Sequence, residues 1–271
     1  MRLRIRPPYA WQPLAAFLAA RAIPGVEEVD ATRYRRSVPG GIIEIRPRAR
    51  HLELDGDPRH APRVRRLFDT GCDPDEVIQV LGRDPTLAPS LAACPGLRVP
   101  GSWDGFELAV RAILGQQISV ARASALAGEL VRAWGVPLRR PRGSLTHTFP
   151  PAASVAEAGG DEVARRLGMP RARGHAIADL AAVLAAGTLA LDAPYPELVT
   201  RLVELPGIGP WTAEYIAMRL GHTDGFPAGD LWLRRALGLD ERALRARAER
   251  WRPYRAYAAL HLWVSPPPSR A

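Results

Sequence analysis

Between residues 205 and 230 the sequence places three kinds of chemistry side by side. Gly207-Ile208-Gly209 is followed by Pro210, then by Trp211 and Tyr215 at helical spacing, and Asp230 stands 19 positions after Trp211. Glycine permits positive φ and the close approach of another backbone. Proline suits the first turn of a helix, where its missing N–H is no loss. A helix starting at Pro210 would point the N–H groups around Ile208, Gly209 and beyond outward, with the positive end of the helix dipole behind them. That is a place for a phosphate, with Ile208 anchoring the turn in the core and both glycines facing the anion. Trp211 and Tyr215, at i and i+4, share a helix face. Asp230 offers a carboxylate for general-base work or for stabilising a developing positive charge.

Each feature also has a plain structural use. A Gly-x-Gly between helices can be an ordinary αα-turn, an aspartate at a helix start is commonly an N-cap, and aromatic rings at helical spacing can simply pack. Asp230 lies near the distance expected of a ribose contact, but a dinucleotide fingerprint fails because Thr212 stands where the third glycine belongs and the preceding element reads as helical. A P-loop is excluded, since no Gly-Lys-Ser/Thr occurs.

The elements that must hold these residues fall into two parts. In residues 1 to about 85, "RLRIR" (2–6), "GIIEIRPR" (41–48) and "HLELD" (51–55) alternate apolar and charged residues and read as strands of an antiparallel sheet with one wet face. Segments 13–25, 61–71 and 73–82 read as helices. The expected class is α+β: a small N-terminal sheet domain with helices over 1–88, then an all-α region over 89–264 and a flexible tail over 265–271. A Pro-rich connector spans 84–102. Helices are expected over 104–117, over 119–135 with Ser119 as N-cap, and over 160–169, 170–187, 196–205, 241–251 and 253–263. Residues 139–151 read as a loop.

Composition narrows the chemistry. The chain has 271 residues, a formal charge of +9 and 37 basic side chains, every one of them arginine. That charge favours a polyanionic partner, nucleic acid first. Without lysine, no Schiff-base mechanism is open. The two cysteines, Cys72 and Cys94, exclude a four-cysteine zinc or iron–sulfur site within this chain, and the six histidines form no metal motif. No apolar run reaches the length of a membrane span, so a soluble cytoplasmic protein is expected.

"LPGIGPWTAEYIAMR" (205–219), "FPAGDLWLRRAL" (226–237) and "ERWRPYRAYAALHLW" (249–263) resemble the helix–hairpin–helix DNA glycosylases, specifically the 3-methyladenine DNA glycosylase II (AlkA) type. The resemblance extends through "GSWDGFELAVRAILGQQISVARA" (101–123), "LGMPRARGHAIADLA" (167–181) and the N-terminal "PPYAWQPLAAFLAARAIPGVEEVD" (7–30). It implies a monofunctional enzyme that flips alkylated purines such as 3-methyladenine and 7-methylguanine out of duplex DNA, hydrolyses the N-glycosidic bond and leaves an abasic site. It implies Asp230 as the catalytic carboxylate and Trp211, Tyr215, Trp263 and Phe17 as the base pocket. Gly207, Ile208, Gly209 and Thr212 would contact DNA, together with Gln116 and Gln117. Gln117 falls where the best-known family pattern carries a leucine wedge. No cofactor is required, although relatives can hold a monovalent cation on hairpin carbonyls near Glu204 to Gly209. The partner would be double-stranded DNA with alkylated bases, bound by a monomer. A catalytically silent DNA-binding module and a small-molecule hydrolase are the competing classes.

Overall fold

Alternation along the first strands decides where the sheet lies. The computed structural model describes residues 1–264; the tail expected over 265–271 lies outside the described residues. Strands β1 (Arg2–Arg4), β2 (Glu27–Val29), β3 (Tyr34–Val38), β4 (Gly41–Pro47) and β5 (His51–Asp55) form one antiparallel sheet in the order β1-β5-β4-β3-β2. On β4 and β5, Ile43, Ile45, Leu52 and Leu54 are buried, while the charged residues between them face outward. Helix α1 (Trp11–Ala20) lays Trp11, Leu14 and Leu18 into that apolar face, and α2 (Ala61–Leu67) adds Val64 and Leu67. The strands β2 and β3 were not marked by the sequence pattern. Their side chains Glu27 and Arg36 are both buried, so their polarity hides the usual signal.

Two further cores complete the molecule. Helices α3 (Pro74–Leu81) and α4 (Ala88–Ala93) pack with α11 (Leu231–Leu237), α12 (Glu241–Ala248) and α13 (Arg255–Val264) through Val77, Leu81, Leu91, Leu233, Leu244 and Leu260. The chain thus crosses into the C-terminal helical core before residue 88. The Pro-rich connector is not bare linker: α4 forms inside it, and Leu87, Leu91, Leu97 and Val99 are buried. The third core gathers α5 (Gly105–Leu114), α6 (Val120–Trp134), α7 (Ala152–Leu167), α8 (Arg171–Ala185), α9 (Tyr195–Val203) and α10 (Pro210–Leu220). Asp104 caps α5 by accepting from the N–H groups of Phe106 and Glu107 at 2.9 and 3.2 Å, and Ser119 caps α6 as its residue type predicts. Helix α7 begins earlier than the pattern at 160–169 suggested. It is broken at Gly159, whose φ of 74° interrupts the helical path.

The segment 139–151, expected as a loop, instead contributes to a two-stranded hairpin, β6 (Val136–Arg142) and β7 (Leu145–Thr148). Of β6 almost everything is exposed, and β7 buries only Leu145, so no alternation marks them. Tertiary bonds hold the hairpin in place. Gly25 O accepts from the N–H groups of Thr146 and His147 at 2.9 and 3.1 Å, and Ser37 Oγ donates to His147 O.

A buried ionic cluster fastens the sheet to α5. Arg36 Nη2 on β3 meets Glu107 Oε2 at 2.7 Å, and its Nη1 reaches Glu27 Oε1 at 3.4 Å. Removing one member of such a cluster strands a charge in the interior, which costs about 3–5 kcal/mol. Burial pushes the Glu107 carboxyl up, against the opposing pull of Arg36. Among the described residues no helix is long and apolar enough to cross a membrane.

Candidate active site

A cleft of about 440 Å³ opens where α1, α5, α6, α10 and the start of α11 approach one another. Helix α10 lines it with one face. Trp211 and Tyr215 stack with centroids 5.3 Å apart and planes 6° from parallel, and Trp263 of α13 lies across from Tyr215 at 6.5 Å and 57°. All three rings, Asp230 and Phe17 border the same cleft. The expected pocket set is therefore gathered in one place, although Phe17 and Trp263 come from opposite ends of the chain. The Phe17 ring already carries the Arg21 guanidinium 3.7 Å from its centroid and that of Arg219 at 4.8 Å.

Asp230 is an N-cap and a cleft residue at once. Its Oδ1 accepts from Leu233 N at 3.0 Å, opening α11. The same oxygen accepts from the Trp263 indole N–H at 3.2 Å, and Oδ2 accepts from that of Trp211 at 3.0 Å. Three donors from three segments thus fix the carboxylate's plane. Glu214 steadies the loop that delivers it. This buried side chain on the far face of α10 accepts from Tyr195 OH at 2.8 Å and from Phe226 N at 2.9 Å.

The turn before α10 corrects three expectations. Gly207 has φ of 82°, but it faces α8 rather than an anion: a Cβ built on it would meet Ala176 Cβ at 2.6 Å. Gly209, the N-cap, has open space in front of it and an ordinary φ of −82°. Ile208 is buried in the helical core as expected, but its N–H donates inward to Leu205 O at 3.1 Å. Thr212 is buried, so its side chain cannot reach a ligand. The groups left for a phosphate are the N–H of Gly209 and those of Trp211 and Thr212 in the first helical turn, which have no intrahelical acceptor. Gln116 Nε2 donates to Gly207 O at 2.8 Å and to Thr212 Oγ1 at 3.3 Å, tying the end of α5 to the turn. Gln117 next to it is exposed with φ of 60°, a left-handed conformation rare in non-glycine residues.

Among the described residues no group of three or more His, Cys, Asp or Glu could hold a metal. Of the turn's carbonyls, Leu205 O and Gly207 O each accept one hydrogen bond and keep a second lone pair.

Several cleft residues escaped the sequence reading: Ser102, Glu107, Arg111 and Arg219. Arg219 extends the i, i+4 ladder of Trp211 and Tyr215 by one more turn, a signal the spacing did contain. Ser102 carried none, because the extended chain around it has no periodicity.

Residues 1–104 match the family model described as the AlkA N-terminal domain, and residues 110–250 match that of the HhH-GPD superfamily base excision DNA repair protein. The chain belongs to that HhH-GPD superfamily. It is 36% identical to "DNA-3-methyladenine glycosylase 2" of Escherichia coli (strain K12), over 97% of this chain and 96% of that protein. It is 44% identical to a "Probable bifunctional transcriptional activator/DNA repair enzyme AlkA" of Mycobacterium tuberculosis (strain CDC 1551 / Oshkosh), over 98% of this chain. The chain spans only 56% of the length of that relative. The solved "3-methyladenine dna-glycosylase from Archaeoglobus fulgidus" superposes with a TM-score of 0.83 over 97% of each chain at 22% identity, a likeness of fold.

Proposed function

We propose that this protein is a monofunctional DNA glycosylase that extrudes alkylated purines from double-stranded DNA and hydrolyses their N-glycosidic bond. The observation that carries this reading is the Asp230 carboxylate, held between the indole N–H groups of Trp211 and Trp263 at the edge of an aromatic cleft. Gripping a phosphate needs the glycine turn alone; a wired carboxylate beside stacked rings serves a reaction.

Sugar-bond hydrolysis commonly uses two carboxyl groups, one to protonate the leaving group. A purine alkylated on a ring nitrogen already carries positive charge and departs with the bonding pair as a neutral base, so one carboxylate suffices. Asp230 stabilises the oxocarbenium-like deoxyribose left behind. It then takes a proton from the water that adds to the anomeric carbon. The products are the free base and an abasic site. With no lysine in the sequence, no Schiff base forms and the strand stays uncut.

Extrusion costs a few kcal/mol. Stacking of an electron-poor base on Trp211, Tyr215 and Trp263 offsets part of it, with a cation–π contribution of about 0.5–2 kcal/mol. The free N–H groups at the start of α10 hold a backbone phosphate beside the cleft. Gln117, at the exposed tip after α5, fills the gap in the duplex. The hairpin carbonyls of Leu205 and Gly207 would hold a monovalent cation in the same turn. The protein works as a monomer inside the cell and requires no other cofactor.

The test is free-base release from methylated duplex DNA. Wild type should release methylated purines, and Asp230→Asn should lose about 10²–10³ in rate while still binding DNA with a steep salt dependence. Asparagine caps a helix as well as aspartate does, so lost folding would not explain the result. Equal release by both proteins would remove Asp230 from the chemistry, and binding without release by wild type would leave a silent DNA-binding module.

A further inference from the structure

The loop that delivers Asp230 is held near both of its ends by the same two helices. It runs from Gly221, the left-handed C-cap of α10, to Asp230. It lies so close to α10 that a Cβ on Gly225 would meet Met218 N at 2.7 Å. At its far end the Asp230 carboxylate is bonded by Trp211 of α10 and Trp263 of α13. A second residue of each helix bonds the earlier part of the loop. Glu214 Oε2, three positions after Trp211, accepts from Phe226 N at 2.9 Å. Arg255 stands eight positions before Trp263, about 12 Å away along the axis of α13. Its Nε donates to Asp224 Oδ1 at 2.8 Å and to Asp224 O at 3.1 Å, and its Nη2 to Oδ2 at 3.2 Å. The next N–H of α13, that of Ala256, donates to Thr223 O at 2.9 Å.

Tyr195, the first residue of α9, joins the two anchors. Its hydroxyl donates to Glu214 Oε2 at 2.8 Å and accepts from Arg255 Nη2 at 3.3 Å. Burial and the Glu214 charge push the Tyr195 phenol up, so it stays protonated and keeps donating. Arg255 is 5% exposed and Glu214 7%, so water competes little for these bonds. Between Phe226 and Asp230 the chain has little slack. Ala228 N donates to Phe226 O at 2.9 Å, Asp230 N donates to Pro227 O at 2.8 Å, and Phe226 itself is buried. A shift at Phe226 is therefore passed on to the carboxylate.

We infer that Glu214 and Arg255, neither of which lines the cleft, are positioning residues for Asp230. The inference rests on the glycosylase reading above and deepens it. Trp211 and Trp263 set the tilt of the carboxylate, and Glu214 and Arg255 set where its backbone stands. The carboxylate has to face a deoxyribose as charge develops there, and a misplacement of about 1 Å caused by a remote change costs about 10²-fold in rate.

Two substitutions test this. Glu214→Ala removes the acceptor for Phe226 N and Tyr195 OH. Arg255→Lys is the milder change: it keeps a cation but loses the forked grip on Asp224, which retains its ion pair with Arg252. It therefore carries the test where Glu214→Ala is too disruptive to fold. In single-turnover release from methylated duplex DNA, each should lower kcat about 10–100-fold, with KM and duplex affinity within about twofold of wild type. Glu214→Gln, whose amide oxygen still accepts both bonds, should recover most of the rate. The decisive arm places each change in Asp230→Asn. With no carboxylate left to position, Glu214→Ala and Arg255→Lys should leave the residual rate within about twofold of Asp230→Asn alone. A loss in that background as large as in wild type would overturn the inference, as would a wild-type kcat in both single variants, and either would leave the glycosylase reading intact. Equal release by Asp230→Asn and wild type would overturn that reading, and this inference with it.

Discussion

The indole Nε1 of Trp211 donates to Oδ2 of Asp230 at 3.0 Å, closing a span of 19 residues. Trp211, in the first turn of α10, therefore also orients the carboxylate of the cleft. Under the proposed function, strand binding at the start of α10 and chemistry at Asp230 would be coupled through this one side chain.

Replacing Trp211 with Phe keeps a ring over Tyr215 and removes only this donor. One hydrogen bond to a charged group is worth about 1.5–3 kcal/mol. Base release should fall about tenfold or more in kcat, with KM changed little. Single-turnover kinetics would show it, and a change confined to KM would mean the ring only binds.

The two glycines of the turn should part company when each is changed to alanine. In Gly207→Ala the new methyl meets Ala176 Cβ at 2.6 Å and the backbone is held at φ of 82°. That variant should lose roughly 1–3 kcal/mol of stability, seen as a lower urea midpoint. Gly209→Ala has open space and an ordinary φ, so its midpoint should stay within about 0.5 kcal/mol of wild type. Its methyl instead stands where a phosphate would sit, and affinity for duplex DNA should drop.

Gln117 holds a left-handed backbone at φ of 60° on an exposed tip. Gln117→Gly should relieve that strain and raise stability by about 0.5–1 kcal/mol. The same change deletes the group proposed to fill the duplex gap, so base release should fall while the melting temperature rises. Calorimetry and an activity assay on one preparation would record the opposed shifts.

Two groups should give opposite pH dependences of stability. Burial pushes the Asp69 carboxyl up to about 6, against the pull of the Tyr257 hydroxyl and Arg98. Its folded value exceeds its unfolded one near 3.8. The stability it contributes is therefore full below 3.8 and lost as pH rises through 6. Burial drives His261 the other way, to about 4 from 6.5. Its contribution is full above 6.5 and lost as pH falls through 4. Relative to wild type, Asp69→Asn should gain stability as pH rises from 4 to 7, and His261→Gln should gain as pH falls. Urea midpoints across that range check both signs; parallel profiles for variant and wild type would show that the residue does not titrate there.

Much of the site was legible in the residues themselves. Local rules sufficed for the Gly-x-Gly-Pro start of α10, the shared face of Trp211 and Tyr215, the caps at Ser119 and Asp230, and the alternating strands β4 and β5. The absence of lysine decided which covalent chemistry is closed. These features depend on spacings of a few residues, and backbone sterics act over that range.

Tertiary structure decided the rest. It set which glycine has open space in front of it, because the contact that occupies Gly207 comes from Ala176 on another helix. It made strands of β2, β3, β6 and β7, whose polar groups are satisfied by partners distant in sequence, as the Arg36 guanidinium is by Glu107 and the backbone N–H groups of Thr146 and His147 are by Gly25 O. It placed Ser102 and Arg219, 117 positions apart in the chain, on the wall of one cleft. A hydrogen-bond partner 71 or more residues away leaves no periodicity in the chain, so only the folded packing assigns it.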